Sequence, residues 1–184
     1  MPTIFDRKRI LVIGSGGAGK STFSRQLGAL MGLPVIHLDR YYWKPGWQIT
    51  PAEEWNALVV QLADRDEWIM DGNYGGSLSI RLKRCDAVVF FDFPRIKCLW
   101  GVIKRRLTTG KRPRTDMADG CREQVTWEFV RWIWRYPKAS RPLIVNALAE
   151  ADRRVEIVTV ATRGAAASLL RTRSIRGGTL YAPP

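Results

Sequence analysis

The sequence predicts an α/β fold in which a parallel five-stranded sheet lies between two layers of helices. Short apolar runs alternate with helix-like runs along most of the chain, a pattern typical of strand–helix–strand units. The run at residues 87–92 is almost entirely apolar, as expected of a strand with helices packed on both faces. A glycine-rich stretch at residues 14–21 joins the first strand to the first helix. These three observations favour one doubly wound, three-layer domain.

Each predicted element follows from its local pattern. We expect strands at residues 9–13, 34–38, 67–71, 87–92 and 155–160, and helices at residues 22–30, 51–64, 94–107, 123–136 and 165–170. The helix that Pro94 opens carries Ile96, Leu99, Trp100, Ile103 and Leu107 on one side. Residues 1–170 therefore form a single domain. Residues 171–184, rich in arginine, threonine, glycine and proline, are predicted to be a flexible basic tail.

Composition narrows the class of protein. The 184 residues are 46% hydrophobic, and no apolar run approaches the roughly 18 residues of a membrane helix. The start of the chain has no apolar stretch typical of a signal peptide. Three cysteines, Cys85, Cys98 and Cys121, have no metal-binding spacing. We therefore expect a cytoplasmic protein with no membrane partner and no disulfide framework.

Positive charge is concentrated in one segment. The net charge is +13, and residues 95–141 carry 13 Lys and Arg against four Asp and Glu. Such a segment favours an anionic partner, either the phosphates of a nucleotide or the backbone of a nucleic acid.

The glycine-rich stretch matches the phosphate-loop pattern G-x-x-x-x-G-K-[ST] without a mismatch. Glycines let several backbone N–H groups point at one phosphate, and the following helix adds its positive dipole end. We expect Lys20 to reach the β- and γ-phosphates of ATP and the Ser21 hydroxyl to ligate Mg²⁺. The predicted nucleotide-binding residues are Gly14, Ser15, Gly16, Gly17, Ala18, Gly19, Lys20, Ser21 and Thr22.

Three acidic residues follow predicted strands, where parallel sheets bind their ligands. Asp39 comes after the second strand and could orient or deprotonate an acceptor hydroxyl, or could cap a helix. Asp71 ends the third strand and is the predicted Mg²⁺ ligand. Asp92 competes for that role, but Phe93-Pro94 makes it resemble a cap of the next helix. His37, the only histidine, is expected to pack or to orient a neighbour.

The basic segment is predicted to form a helical lid at about residues 105–141. Phosphoryl transfer needs cationic groups placed against the migrating phosphoryl group and a closure that excludes water. A basic loop with glycine and proline, placed between two helices, suits such a closure. Arg131 and Arg135 are four apart and share a helical face. The candidate charge-neutralising residues are Arg105, Arg131, Arg135 and Arg141, whereas most tryptophans nearby are expected to pack.

These stretches resemble the branch of phosphate-loop kinases related to adenylate kinase, and more closely the bacterial DNA topology modulation proteins, also called FlaR-like. The matching residues are 13–22, 33–39, 43–47, 68–74, 91–94 and 127–134. The resemblance implies a strand order of 2-3-1-4-5, a mobile lid lined by arginines, and an Asp71-Gly72 pair that corresponds to the Asp-Gly of these kinases. One position departs: adenylate kinases carry an arginine where this chain has Gly101.

The sequence thus predicts a Mg²⁺-dependent enzyme that transfers the γ-phosphoryl group of ATP to a small acceptor. A nucleotide, a nucleoside or a small hydroxyl compound fits the pattern. The alternative is an ATP-regulated protein that contacts DNA through its basic segment. No helix-turn-helix, zinc-finger or RNA-binding signature accompanies that segment, so nucleic acid is the second choice of partner.

Overall fold

The computed structural model describes residues 3–109, 116–118, 120–121 and 125–176. Its strands are β1 (Arg9–Gly14), β2 (Val35–His37), β3 (Trp43–Lys44), β4 (Gln48–Ile49), β5 (Trp68–Asp71), β6 (Ala87–Phe91) and β7 (Glu156–Val160). Its α-helices are α1 (Lys20–Met31), α2 (Asp39–Tyr42), α3 (Ala52–Ala63), α4 (Leu78–Leu82), α5 (Arg95–Thr109), α6 (Trp127–Ala139), α7 (Arg141–Ala149) and α8 (Arg163–Arg176). The predicted lid and tail are described only in part, because residues 110–115, 119, 122–124 and 177–184 lie outside these ranges.

Five parallel strands form the central sheet in the order β2-β5-β1-β6-β7. Counting only these five strands along the chain, the order is 2-3-1-4-5, which confirms the predicted fold. In the register of the sheet, Val12 of β1 lies beside Asp71 of β5, and Gly14 lies beside Phe91 of β6. The carboxyl end of β1 therefore lies between the carboxyl ends of β5 and β6.

Side chains of the sheet alternate between two apolar cores, as the twofold repeat of a strand requires. Leu11 and Met70 point into a core that includes Val59 of α3 and Ile144 of α7. Neighbouring residues of the same strands point into the second core, with members on α1, α5 and α8 such as Phe23, Cys98 and Ala166. Helices cover both faces, and the carboxyl ends of the strands remain free to build a site.

Several boundaries differ from those expected. The helix expected at residues 123–136 begins at Trp127, because the Thr126 hydroxyl caps it by accepting a hydrogen bond from Phe129 N. Helix α8 continues six residues beyond the expected end at residue 170, because no glycine or proline interrupts it before Arg176. Helix α7 and the β3–β4 hairpin were not expected. Each strand of the hairpin has two residues, too few to show an alternating pattern.

Helix α5 places most of its predicted apolar side in solvent, although Leu99 packs against the second core. Ile96, Trp100 and Leu107 are all exposed, while Cys98 and Val102 on another side of the helix are buried against the phosphate loop. Across the part of the chain that the structure describes, no helix is both long and apolar enough to cross a bilayer.

Candidate active site

The phosphate loop connects β1 to α1 and encloses the space above the end of the sheet. Gly17 and Gly19 have φ angles of 77° and 96°, in the left-handed region that glycine adopts without strain. The Lys20 ammonium reaches back over the loop and donates a hydrogen bond of 2.9 Å to the Ser15 carbonyl oxygen. The lysine is therefore held inside the loop, at the position where phosphate oxygens bind in such loops.

An open cavity of about 1240 Å³ lies beyond the carboxyl ends of β1, β2 and β5. Most predicted site residues line this one cavity: Gly14, Gly16, Gly17, Ala18, Gly19, Lys20, Ser21, Thr22, Asp39, Asp71 and Arg105. Ser15 is buried behind it. The basic and acidic residues that line the cavity come from different elements. The basic residues lie on α1, α5 and α8: Lys20, Arg25, Lys104, Arg105 and Arg163. The acidic residues, Asp39, Asp71 and Asp116, lie on other segments.

Asp71 is a buried carboxylate at the edge of this cavity. Its Oδ2 atom lies 2.9 Å from Nδ1 of His37, which is buried as well. The two residues are paired in the register of β5 and β2, so the sheet itself sets their contact. His37 thus orients the carboxylate, and the other oxygen of Asp71 can face the cavity.

The neighbourhood of Asp71 fits a magnesium ion that is bound partly by nucleotide. Among the described residues, no group of three His, Cys, Asp or Glu side chains could hold a metal ion by itself. Mg²⁺ in phosphate sites characteristically takes one or two protein ligands and completes its shell with phosphate oxygens and water. Ser21 and Asp71, which line the same cavity, are a donor set of this kind.

Asp92, the competing acid, is engaged elsewhere. Its two carboxylate oxygens accept hydrogen bonds from Nε and Nη2 of Arg141, both at 2.7 Å. This bidentate pair raises the pKa of the Arg141 guanidinium above its usual value. Neither residue lines the cavity. The pair instead joins the end of β6 to the start of α7.

Asp39 opens the short helix α2 and is held by a tyrosine. The Tyr74 hydroxyl donates a hydrogen bond of 2.5 Å to Asp39 Oδ1. The Tyr74 ring packs against Tyr42 and Trp55, with ring centroids 4.5 and 4.9 Å away. Burial and the charge of Asp39 raise the pKa of the Tyr74 phenol, which therefore remains a donor at neutral pH. Tyr74 directly follows Asp71-Gly72-Asn73 but was not predicted to be a site residue.

Arg81 is a second residue that the sequence analysis missed. It is fully buried on α4 and donates hydrogen bonds to the backbone carbonyls of Gly72, Asn73, Tyr74 and Ser77. Burial lowers the pKa of its guanidinium to about 10, so it stays charged at neutral pH. Arg81 therefore shapes the segment after β5 that lines the cavity. A lone arginine in an amphipathic stretch carries no sequence signal for this role.

Arg163 is a third cavity-related residue that was not predicted from the sequence. At Gly101 of α5, an added Cβ would lie 2.1 Å from the Gly17 carbonyl oxygen and 2.9 Å from Nη2 of Arg163. A side chain at position 101 has no room, and the space that adjoins it is taken by an arginine from α8. Gly101 and Arg163 both line the cavity.

The predicted lid arginines are not brought together. Arg105 lines the cavity, whereas Arg131 and Arg135 are exposed and do not line it. Helix α6 presents Phe129 and Trp132 to the cavity instead. The roles assigned to these arginines remain predictions.

No protein-family model matches the chain, and no curated protein matches it in sequence. Solved structures do match. Shikimate kinase from Acinetobacter baumannii, in complex with shikimate, superposes with a TM-score of 0.56 at 18% identity, over 95% of this chain and 96% of that one. Shikimate kinase from Bacteroides thetaiotaomicron gives 0.55 at 16% identity, over 94% and 99%. At these identities the similarity shows a shared fold. The narrower resemblance to DNA topology modulation proteins stays a prediction.

Proposed function

We propose that the chain transfers the γ-phosphoryl group of ATP to the hydroxyl group of a small molecule. One observation carries this proposal: the phosphate loop with Lys20 and Ser21 opens into the same cavity as Asp39 and Asp71. Phosphoryl transfer needs a phosphate cradle, a metal ligand and a group that handles the acceptor proton, all within reach of one point.

In the proposed reaction, Lys20 exchanges its bond to the Ser15 carbonyl for the β- and γ-phosphate oxygens. Ser21 and Asp71 would hold Mg²⁺, which would supply positive charge to neutralise the phosphates. The acceptor oxygen forms a bond to the γ-phosphorus while the bond from that phosphorus to the bridging oxygen of ADP breaks. Asp39 orients the acceptor hydroxyl and takes its proton, and Tyr74 keeps the carboxylate in place.

Arg105, the predicted lid arginine that lines the cavity, is the first candidate to neutralise the negative charge of the transferred phosphoryl group. Arg131 and Arg135 remain candidates for a closed arrangement, whereas the fourth candidate, Arg141, is bound to Asp92. The shikimate kinases that share the fold act, as their name states, on a small hydroxyl compound. This supports a small-molecule acceptor here, and a nucleotide, a nucleoside or a small alcohol remains open.

We also propose a reducing compartment, the cytoplasm, as the place of action. Cys85, Cys98 and Cys121 are buried free thiols, a form that cysteines keep where glutathione and thioredoxin are present.

The test is an ATP-consumption screen over nucleoside monophosphates, nucleosides and small alcohols, with Lys20→Ala as the negative variant. Losing one group that stabilises the transition state commonly costs about 10²–10³ in rate. Lys8→Ala is the matched control, since Lys8 is an exposed lysine paired with Glu67, far from the cavity. Near-normal turnover in Lys20→Ala would contradict the proposal. Duplex binding without turnover on any acceptor would favour the nucleic-acid alternative.

A further inference from the structure

Two aromatic rings lie directly on the phosphate loop. A Cβ added at Gly16 would come within 2.7 Å of Cζ of Phe129 and 3.3 Å of Cζ3 of Trp132. The two rings are stacked on each other, with centroids 5.9 Å apart and planes inclined by 9°. Both line the cavity. Together Phe129 and Trp132 form an aromatic wall at the turn of the loop.

Helix α6, which carries the wall, is clamped in this position. Arg95 places its guanidinium carbon 3.8 Å from the centroid of the Trp134 ring, a cation–π contact. Ile133 and Tyr136, on the inner side of the helix, are buried. Beyond the end of α6, Arg141 is bound to Asp92 by two hydrogen bonds.

The Asp92–Arg141 and Arg95–Trp134 contacts connect the aromatic wall to the phosphate loop through one short segment. Asp92 and Arg95 both belong to the connection from β6 into α5. The next turn of α5 packs on the loop, since a Cβ at Gly17 would lie 2.1 Å from the Cys98 carbonyl oxygen. The rings and the loop are thus positioned by the same element.

We propose that the aromatic wall keeps water away from the phosphoryl group during transfer, and that the Asp92–Arg141 and Arg95–Trp134 contacts hold it there. The inference rests on the proposed function. Water competes with the acceptor hydroxyl: its oxygen can bond to the γ-phosphorus while ADP leaves, which releases inorganic phosphate. Phe129 offers water no hydrogen-bonding group, and its ring occupies the space against Gly16 at the cavity wall. The wall therefore governs the loss of ATP to water, and ATP affinity is left to the loop itself.

The experiment measures phosphate release from Mg-ATP alone, without an acceptor. Phe129→Ala is expected to raise this release by roughly tenfold, while Phe129→Leu, which keeps an apolar side chain, stays near the unmodified protein. Trp127→Ala is the matched control, because Trp127 lies on the same helix and is exposed. Calorimetric binding of ADP should be unchanged in all three variants. The Lys20→Ala, Phe129→Ala double variant should lose the added release, which locates it at the phosphate loop.

The clamps are tested as positioning contacts. Asp92→Asn, which weakens the pair with Arg141, should raise phosphate release without changing ADP affinity. Unchanged or reduced release in Phe129→Ala and in Trp132→Ala, with ADP still bound, would overturn the inference and leave the proposed function standing. Failure of the unmodified protein to bind ADP or Mg-ATP at all would overturn the proposed function itself.

Discussion

A single arginine determines the course of the chain after β5. Arg81 donates to four backbone carbonyl oxygens and brings Gly72, Asn73 and Tyr74 into one bend at the cavity. Tyr74 then meets Asp39, and Asp71 meets His37. This part of the cavity wall therefore depends on Arg81, which does not itself line the cavity.

Arg81→Ala should destabilise the protein by about 3 kcal/mol or more, because each buried carbonyl left without a donor costs about 1–3 kcal/mol. Urea unfolding measures the free energy of unfolding. Arg84→Ala is the control three residues away: Arg84 pairs with Asp64 at the surface, and exposed pairs contribute about 0–1 kcal/mol. Equal losses in the two variants would mean that the hydrogen bonds of Arg81 contribute little.

The choice between Asp71 and Asp92 is tested by metal dependence. Asp71→Asn should raise the Mg²⁺ concentration needed for half-maximal turnover, because a neutral amide is a weaker ligand for a hard cation. Asp92→Asn should leave that concentration unchanged, since Asp92 binds Arg141 and does not line the cavity. Titration of turnover against Mg²⁺ in both variants decides the matter. A larger shift in Asp92→Asn would reverse the assignment.

At the scale of elements, α5 shows what periodicity leaves open. Its pattern indicates an amphipathic helix, yet Ile96, Trp100 and Leu107 face solvent. The side that packs against the loop carries Cys98 and Gly101, because only small side chains allow the helix backbone to approach so closely. A hydrophobicity pattern does not record this requirement for small residues.

The predicted lid arginines should differ in their effect. Arg105→Ala is expected to lower the maximal rate more than either Arg131→Ala or Arg135→Ala, because Arg105 alone of the three lines the cavity. The loss should fall on kcat more than on ATP binding, as expected of a group that acts in the transition state. Steady-state kinetics of the three variants provide the measurement.

The same three variants distinguish a role of the basic segment as a lid from a role as a DNA-binding arm. If the basic segment contacts DNA phosphates, each lost contact should lower the salt slope of duplex affinity by about one and leave turnover alone. That result in all three variants would contradict the lid and support the nucleic-acid alternative.

At the scale of the whole molecule, nucleotide binding should increase the free energy of unfolding and the melting temperature. Mg-ATP at about 100 times its Kd stabilises a folded protein by about 2.7 kcal/mol. For a chain of this length the melting temperature should then rise by roughly 5–10 °C. Calorimetry with and without Mg-ATP measures the shift, and Lys20→Ala should reduce it.

Salt supplies the control for that shift. A net charge of +13 favours nonspecific binding of polyanions, and such binding weakens steeply as salt rises. The contacts proposed between the loop and ATP are specific and partly enclosed, so the shift should persist at about 0.5 M salt. A shift that disappears with salt, and that duplex DNA reproduces, would assign the stabilisation to charge alone.

The sequence by itself determined the α/β class, the phosphate loop and the strand ends that bear Asp39 and Asp71, because each follows from a pattern within about ten residues. The resemblance to phosphate-loop kinases added the strand order, which the sheet confirms. Only the tertiary structure decided that Asp92 binds Arg141, that Arg81 is buried, that Arg163 fills the space beside Gly101, and that Phe129 rests on Gly16. Most of these contacts join residues tens of positions apart, and Arg81 acts through backbone carbonyls, which residue identity does not mark. A helical or strand period defines the face that a side chain occupies, whereas the packing of the elements defines what that face meets.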